Sequence, residues 1–193
     1  MAIKYEFDKC SDDRIHQGDI FRKVPFFESY FEKNGAFEVS ILEFPYAIVL
    51  SQECDLEQNC KERASFTDKN FETVKHDKFL VSLLCAPLYN AEHLFSGEHL
   101  SYLKIQADKK STDQKKFIKS NRESRYHYLE LDGNIEIVPS VIDFKHYFSI
   151  SLPLLENNIS NRICSIRPIF RESISQRFTN YLSRIGLPEK IAI

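Results

Sequence analysis

The sequence has 193 residues and a formal net charge of −2, so it is long enough for one domain with a sizeable core and has no overall charge that would attract nucleic acid or a membrane. Its 16 Phe and 9 Tyr residues, with no Trp, favour β structure. No apolar run approaches the roughly 18 residues that cross a bilayer, and the first residues lack the apolar core of a signal peptide. The 5 irregularly spaced cysteines fit reduced thiols better than a disulfide framework. We therefore expect one cytoplasmic domain over residues 1–193, without a membrane segment.

One stretch combines an apolar strand with a group of reactive side chains. Residues 46–50 are apolar and predict a buried strand, and the strand ends at Ser51-Gln-Glu-Cys-Asp. Functional side chains are often placed at the mouth of a rigid strand, because the strand fixes groups that still meet solvent. We therefore take Gln52, Cys54 and Asp55 as candidate catalytic residues.

Two interpretations of Cys54 stay open. In the first, its thiolate is a nucleophile or a metal ligand, and a nucleophile needs a nearby base, usually a His, in an electropositive setting. In the second, Cys54 packs as a small apolar residue and Asp55 caps a turn or a helix. Together with Cys60, His76 and Cys85 it matches no standard zinc spacing, so neither a metal nor a cofactor is predicted.

The other elements follow from apolar periodicity and from turn residues. Asn34-Gly35 predicts a hairpin turn before a half-buried strand, and Pro45 and Pro87 are expected to end strands. Residues 56–78 predict a loop or one short helix. Further strands are predicted at 17–21, 37–44, 79–87, 125–131, 135–138 and 141–150, and helices at 91–95, 112–121 and 167–186. The last of these helices is expected to end at a left-handed Gly186.

Basic residues concentrate in one region, residues 104–125. With Tyr102, Phe117 and Tyr126 close by, this region has cations for phosphates and aromatic faces for bases, as in surfaces that follow a single nucleic-acid strand. The alternative is a solvated surface whose lysines keep the protein soluble. The candidate nucleic-acid contacts are Lys109, Lys110, Lys115, Lys116, Lys119 and Arg125.

Three further side chains of this part of the sequence are candidates by position. Arg125 and His127 lie on the same side of a strand by period two and can face a cleft together. His146 is expected to be a hydrogen-bonded, half-buried histidine rather than an acid or a base.

Several short pieces of sequence occur in a recognisable order. They are Gly18-Asp-Ile, the apolar strand after Pro45 that ends in Leu50-Ser51, the turn at Pro87-Leu-Tyr89, a strand with an acid at Asp143, and a helix ending in Arg184-Ile-Gly-Leu. In this order the chain resembles the PemK/MazF-like toxin family, small SH3-like barrels of which many cut RNA. The Ser-Gln-x-Cys-Asp-Leu motif and residues 125–129, 141–144 and 167–178 look more closely like an uncharacterised bacterial family that has no established activity.

Two departures from the toxin pattern concern its chemistry. The catalytic members carry an Arg directly before the Pro of the second strand, where this chain has Phe44. They carry a hydroxyl residue after the Pro of the later strand, where the nearest residue here is Tyr89. Without that Arg, the charge that develops on a phosphate has no obvious partner.

We therefore expect a β-rich α+β domain, either a bent antiparallel sheet or an SH3-like barrel over about residues 15–150, with a long C-terminal helix. The expected function is a PemK/MazF-like module of a toxin or defence system that contacts RNA or another single-stranded nucleic acid, also without cleavage. The alternatives are a protein-binding or regulatory module, with self-association into a homodimer left open, and a hydrolase centred on Cys54.

Overall fold

The computed structural model describes residues 4–9, 12–66, 75–133 and 135–184. The strands of these ranges are β1 (Lys4–Tyr5), β2 (Phe7–Asp8), β3 (Asp19–Lys33), β4 (Ala36–Val49), β5 (Ser82–Asn90), β6 (Tyr126–Leu131), β7 (Ser140–Asp143), β8 (Phe148–Ser151) and β9 (Arg162–Ile166). The helices are α1 (Glu53–Ser65), α2 (Ala91–Ser96), α3 (Thr112–Lys119), α4 (Leu152–Glu156) and α5 (Pro168–Leu182). Within these ranges no helix combines the length and the apolar character needed to cross a bilayer.

All the strands belong to one sheet, in the order β1-β6-β7-β5-β4-β3-β9-β2, and β8 pairs with β5. Every pair is antiparallel except β1 with β6. The two end strands do not pair with each other in the described ranges, so the sheet is open and not a closed barrel. The predicted α+β class with a C-terminal helix is thereby confirmed, in its open-sheet form.

The hairpin of β3 and β4 is the longest feature of the sheet. Asn34 and Gly35 both have positive φ (55° and 74°), which gives the tight turn that this dipeptide predicts. The prediction that Pro45 separates two strands is wrong, because β4 runs through it. Pro45 lies opposite Lys23 of β3, which has a positive φ (52°) and is missing from the register, so the pairing is interrupted at this position and continues on both sides of it.

Three other strand predictions need correction. Pro87 does not end β5, because one edge of β5 changes its partner there, from β8 at Cys85 to β7 at Leu88. Residues 135–138 form no strand, although Ile137 is buried. The predicted strand 141–150 is divided into β7 and β8 by a short turn, which begins where the Asp143 carboxylate accepts the Lys145 N–H at 3.0 Å.

The helices agree better with the local signals in the sequence. α2 and α3 are found where predicted, and α3 begins with a capping box of Ser111 and Gln114. In the region 56–78 a helix does form, but α1 already begins at Glu53, directly after β4. α5 confirms the C-terminal helix, with Ile174 and Phe178 buried, and the predicted cap at Gly186 lies outside the described residues.

The sheet separates three apolar clusters. Ile20 and Phe21 are consecutive on β3 and enter different clusters, because successive side chains of a strand point to opposite faces. The first cluster receives Ile174 and Phe178 of α5, which fixes that helix on the sheet. The third cluster lies beneath α2 and α3 and contains Phe95 and Tyr126.

His127 is a buried histidine within the first cluster. Its side chain is 0% exposed, and neither ring nitrogen has a hydrogen-bond partner among the described residues. Its ring packs edge-on against Tyr5, with 5.5 Å between centroids. Burial, reinforced by the charge of Arg177, lowers the pKa of His127 to about 3, so the ring is neutral in the folded protein. The prediction that His127 shares a cleft with Arg125 is therefore wrong.

This burial should make stability depend on pH. Between the unfolded pKa of about 6.5 and the folded pKa of about 3, the unfolded chain binds a proton that the folded chain does not, so stability falls as pH falls. Between pH 7.5 and pH 5 we expect the parent protein to lose about 2 kcal/mol more free energy of unfolding than the His127→Phe variant. Urea unfolding at both pH values measures this difference. His93→Gln, at an exposed histidine of α2, is the control and should behave like the parent, whereas equal losses in parent and His127→Phe would contradict the prediction.

Candidate functional site

The three predicted catalytic residues lie where β4 passes into α1. Gln52 is the N-cap residue of α1, and Cys54 and Asp55 are exposed in its first turn. The Cys54 Sγ lies 3.6 Å from Gln52 Oε1 and 3.7 Å from Asp55 Oδ1. All three line a cavity of about 610 Å³ between the start of α1 and α5.

The described residues that line this cavity include no histidine. Arg125 and His127, which the sequence places on one side of a strand, do not line it either, so among the described residues no histidine of this cavity can serve Cys54 as a base. The zinc grouping of Cys54, Cys60, His76 and Cys85 also does not form, because across the described ranges no three His, Cys, Asp or Glu side chains are arranged for a metal.

Glu53, which the sequence interpretation passed over, is the residue of this stretch with the most partners. Its carboxylate lies 2.7 Å from Arg14 Nη2, 3.2 Å from Arg171 Nη1 and 3.1 Å from His16 Nδ1. It also accepts the Gln17 backbone N–H at 2.9 Å. Burial by itself would raise the pKa of Glu53, but these hydrogen bonds and the charge of Arg171 together lower it, so the carboxylate is ionised at neutral pH.

Neighbouring contacts extend this junction. Gln17 Nε2 donates to the Leu50 carbonyl at 3.3 Å and to Ser175 Oγ of α5 at 2.6 Å. Asp19, which is 0% exposed, lies 3.1 Å from Arg162 Nη1 of β9. Polar groups thus join the segment before β3, the exit of β4 and the start of α5, and the exit of β4 has a structural purpose whether or not Cys54 reacts.

A second group of polar residues surrounds Asp143 at the end of β7. Asp143 is paired across the sheet with Tyr126, so the neighbouring Arg125 reaches its carboxylate. Arg125 Nε and Nη2 lie 2.8 and 2.5 Å from the two oxygens, a bidentate pair in which Asp143 is fully buried and Arg125 is partly exposed. Arg125 is therefore held in one orientation at the protein surface.

His146 adds a titratable group to this pair. Its Nδ1 lies 3.0 Å from the Tyr89 hydroxyl and 3.5 Å from Asp143 Oδ2. Burial lowers the pKa of His146, and the charge of Asp143 opposes this while Arg125 and Lys145 add to it. Burial also raises the pKa of the Tyr89 hydroxyl, so both groups are uncharged at neutral pH. In the tautomer with the proton on Nδ1, His146 donates to the Tyr89 oxygen and its Nε2 is left to accept a proton. The expectation of a hydrogen-bonded, half-buried His146 is confirmed, but its partners are those of an acid–base centre.

His99 lies against the other side of Tyr89. The two rings meet edge to face with 4.9 Å between centroids, and His99 is only 7% exposed. Neither ring nitrogen has a hydrogen-bond partner within the described part of the chain. Burial lowers the pKa of His99 to about 4, and the charges of His146, Lys110 and Arg125 contribute to this. A buried polar ring without a partner is uncommon in proteins and often marks a functional position.

A groove of about 320 Å³ opens beside these residues. Tyr89, Tyr102, His146 and Tyr147 supply polar groups and ring faces to it, and Phe44 forms part of its apolar wall. Phe44 and Tyr89, the two positions at which the chain departs from the toxin pattern, therefore line the same groove.

The predicted nucleic-acid contacts are distributed around this site. The Lys110 ammonium and the Arg125 guanidinium lie 5.6 and 4.9 Å from the Tyr126 ring centroid. Lys115 and Lys119 lie 5.7 and 5.3 Å from the Phe95 centroid. The two remaining residues, Lys109 and Lys116, are exposed, and Lys116 pairs with Asp113 at 3.7 Å. Of these six residues, Lys110 and Arg125 lie close enough to His99 to lower its pKa.

The contacts of Glu53 give a test of the junction. Glu53→Ala leaves Arg14 and Arg171 partly buried without their counter-ion, so we expect the free energy of unfolding to fall by about 2–3 kcal/mol. Urea unfolding measures the loss. Glu57→Ala is the matched control one turn later on α1, where an exposed pair with Lys61 should contribute at most about 0.5 kcal/mol. Similar losses in the two variants would show that the junction does not hold these segments together.

The group around Asp143 has the components of general acid–base chemistry on an anionic substrate. It supplies a neutral histidine, a hydroxyl donor and fixed cations at the edge of a groove.

The chain matches no protein-family model, no curated protein and no solved structure.

Proposed function

We propose that this chain is a PemK/MazF-like module of a bacterial toxin or defence system, and that it contacts single-stranded RNA in the cytoplasm at the groove beside Asp143. The observation that carries the proposal is a groove lined by His146 and exposed aromatic rings, next to Arg125, which shares Asp143 with His146. Lys110 lies close to Arg125, because both cations contact the ring of Tyr126. The resemblance in sequence order supports the same assignment.

The cations have the positions that a phosphate backbone requires. Arg125 is fixed by Asp143, yet part of its guanidinium remains exposed. Lys110 contacts the ring of Tyr126, as Arg125 does, and Lys115 and Lys119 extend the positive surface along α3. Because the net charge of the chain is −2, this attraction is local and confines binding to one face.

Aromatic rings beside the cations suit unpaired bases. Tyr102 is 47% exposed and Tyr147 is 44% exposed, and both line the groove. Phe117 on α3 is 50% exposed. Stacking on such rings is open to any base, so the site favours a single strand, whose bases are free, over a duplex.

RNA binding should depend on this face. We expect Lys110→Glu/Lys115→Glu to weaken binding of a short single-stranded RNA at least about ten-fold and to reduce the salt dependence by about the contribution of two phosphates. Fluorescence anisotropy over a salt series measures both quantities. Lys61→Glu/Lys78→Glu makes the same change in net charge outside the groove and should bind like the parent. Absence of binding at low salt, or equal weakening by the two pairs, would overturn the proposal.

A second candidate function is cleavage of the bound RNA, and the contact between Tyr89 and His146 favours it. In this reaction the 2′-oxygen forms a bond to the adjacent phosphorus while the bond to the 5′-oxygen breaks, and the released 5′-oxygen takes up a proton from water and leaves as a hydroxyl. A neutral His146 can accept the proton of the 2′-hydroxyl, and the charges of Arg125 and Lys110 offset the negative charge that develops on the phosphate.

Cleavage would follow the protonation state of His146. We expect His146→Gln to lower the cleavage rate at least about 100-fold while RNA affinity changes less than about two-fold. In the parent protein the rate should fall at acidic pH, because the lowered pKa of His146 keeps the ring neutral at pH 7 and protonation removes the base. Rates from labelled RNA across pH measure this, with His93→Gln as control. A parent protein that binds RNA without cutting it would exclude this candidate and leave RNA contact standing.

A further inference from the structure

The outer half of the β3–β4 hairpin, residues 27–41, forms an arm beyond the rest of the sheet. β9 pairs with β3 only as far as Phe21, and β5 pairs with β4 only from Ala47. Among the described strands, the two strands of the arm are thus paired only with each other. An isolated two-stranded ribbon is marginally stable in water, and an apolar face needs a covering layer.

The arm has one apolar face. Phe27 is paired with Ile41, and Tyr30 with Val39, so each pair lies on one side of the ribbon. Phe37 lies on the same side as Val39 and Ile41, because alternate residues of a strand share a face. Its partner Glu32 places one carboxylate at the tip end of this face, and Phe31 is the exposed apolar residue of the other face. These five side chains are exposed by 56% (Phe27), 78% (Tyr30), 72% (Phe37), 51% (Val39) and 52% (Ile41).

The opposite face of the arm is more polar. There Ser40 Oγ donates to Glu28 at 2.8 Å, and Lys33 lies 3.9 Å from Glu38. Both contacts are made between side chains of the arm itself. The arm thus has an apolar face and a more polar face, as a strand pair at the surface of a core has. Among the described residues, however, nothing covers the apolar face.

We propose that this apolar face is a self-association surface, covered by the same face of a second copy of the chain. The five side chains expose roughly 600 Å² per copy, which is more than isolated surface residues account for. Two such faces together bury roughly 1,200 Å², the lower bound for a stable interface. The same face packed against an ordinary polar surface would leave much of this apolar area unmatched.

The charges of the arm favour a second copy of the chain over nucleic acid or an anionic membrane. The carboxylates of Glu28, Glu32 and Glu38 lie on the arm with a single basic residue, Lys33. This excess of negative charge opposes docking of nucleic acid or of an anionic lipid surface.

The oligomeric state of the full chain tests the proposal. We expect light scattering after size exclusion, at micromolar concentration, to give twice the mass of one chain. Val39→Asp and, independently, Tyr30→Lys should give the mass of one chain and raise the dissociation constant at least about ten-fold. Val81→Asp, at a residue that is 84% exposed outside the arm, is the matched control and should remain dimeric.

A second measurement locates the contact. Under air oxidation Val39→Cys should form a disulfide-linked dimer faster than either the parent or Val81→Cys, because Val39 lies near the middle of the face. A parent protein of single-chain mass up to high micromolar concentration would overturn the proposal, and so would a dimer that Val39→Asp and Tyr30→Lys leave intact. Unchanged near-ultraviolet circular dichroism confirms that the variants remain folded, since the substituted residues lie outside the core. RNA binding is measured separately, so its loss or retention does not affect this result.

Discussion

The position of the polypeptide around the β4 exit depends on one carboxylate, that of Glu53. It is the common acceptor for side chains or backbone groups from residues before β3 and from α5, which are far apart in the sequence. Apolar packing has little directional character, but a carboxylate with several fixed donors determines how the segments are oriented. A partly buried charge is stabilising only when its partners are all present, so these contacts form or break together.

Asp143 is a second carboxylate that fixes the side chains around it, but the side chains that it fixes reach the surface. It is buried, and it fixes Arg125 and approaches His146, but both of these partners reach the surface. The buried carboxylate thus sets the geometry of exposed groups and need not meet a ligand itself. Because β7 pairs with both β5 and β6, Tyr89 and Arg125 reach Asp143 from the two neighbouring strands.

Features with local causes were predictable from the sequence, and features with distant causes were not. The Asn34-Gly35 turn and the capping box of α3 follow from neighbouring residues alone. Whether Pro45 ends a strand depends on whether the partner strand can do without a pairing opposite it, as β3 does at Lys23, and local sequence does not contain that information. The candidate site shows the same division. The polar group at residues 51–55 is visible in the sequence, but only the first turn of α1 turns Glu53 toward Arg14 and leaves Cys54 and Asp55 in solvent. His99 gives no sequence signal, and for His146 the sequence predicts a half-buried histidine but not its contact with Tyr89, which comes from another strand.

The base of the arm is also a wall of the groove. Phe26, Leu42 and Phe44 line the groove together with Tyr89 and His146, and Phe44 stacks on Phe148 with 5.0 Å between centroids. A ligand in the groove that displaces Phe26, Leu42 or Phe44 therefore also displaces the base of the arm. Linkage of this kind is reciprocal: whatever factor such a ligand applies to the equilibrium of the arm, the arm applies to the affinity for that ligand.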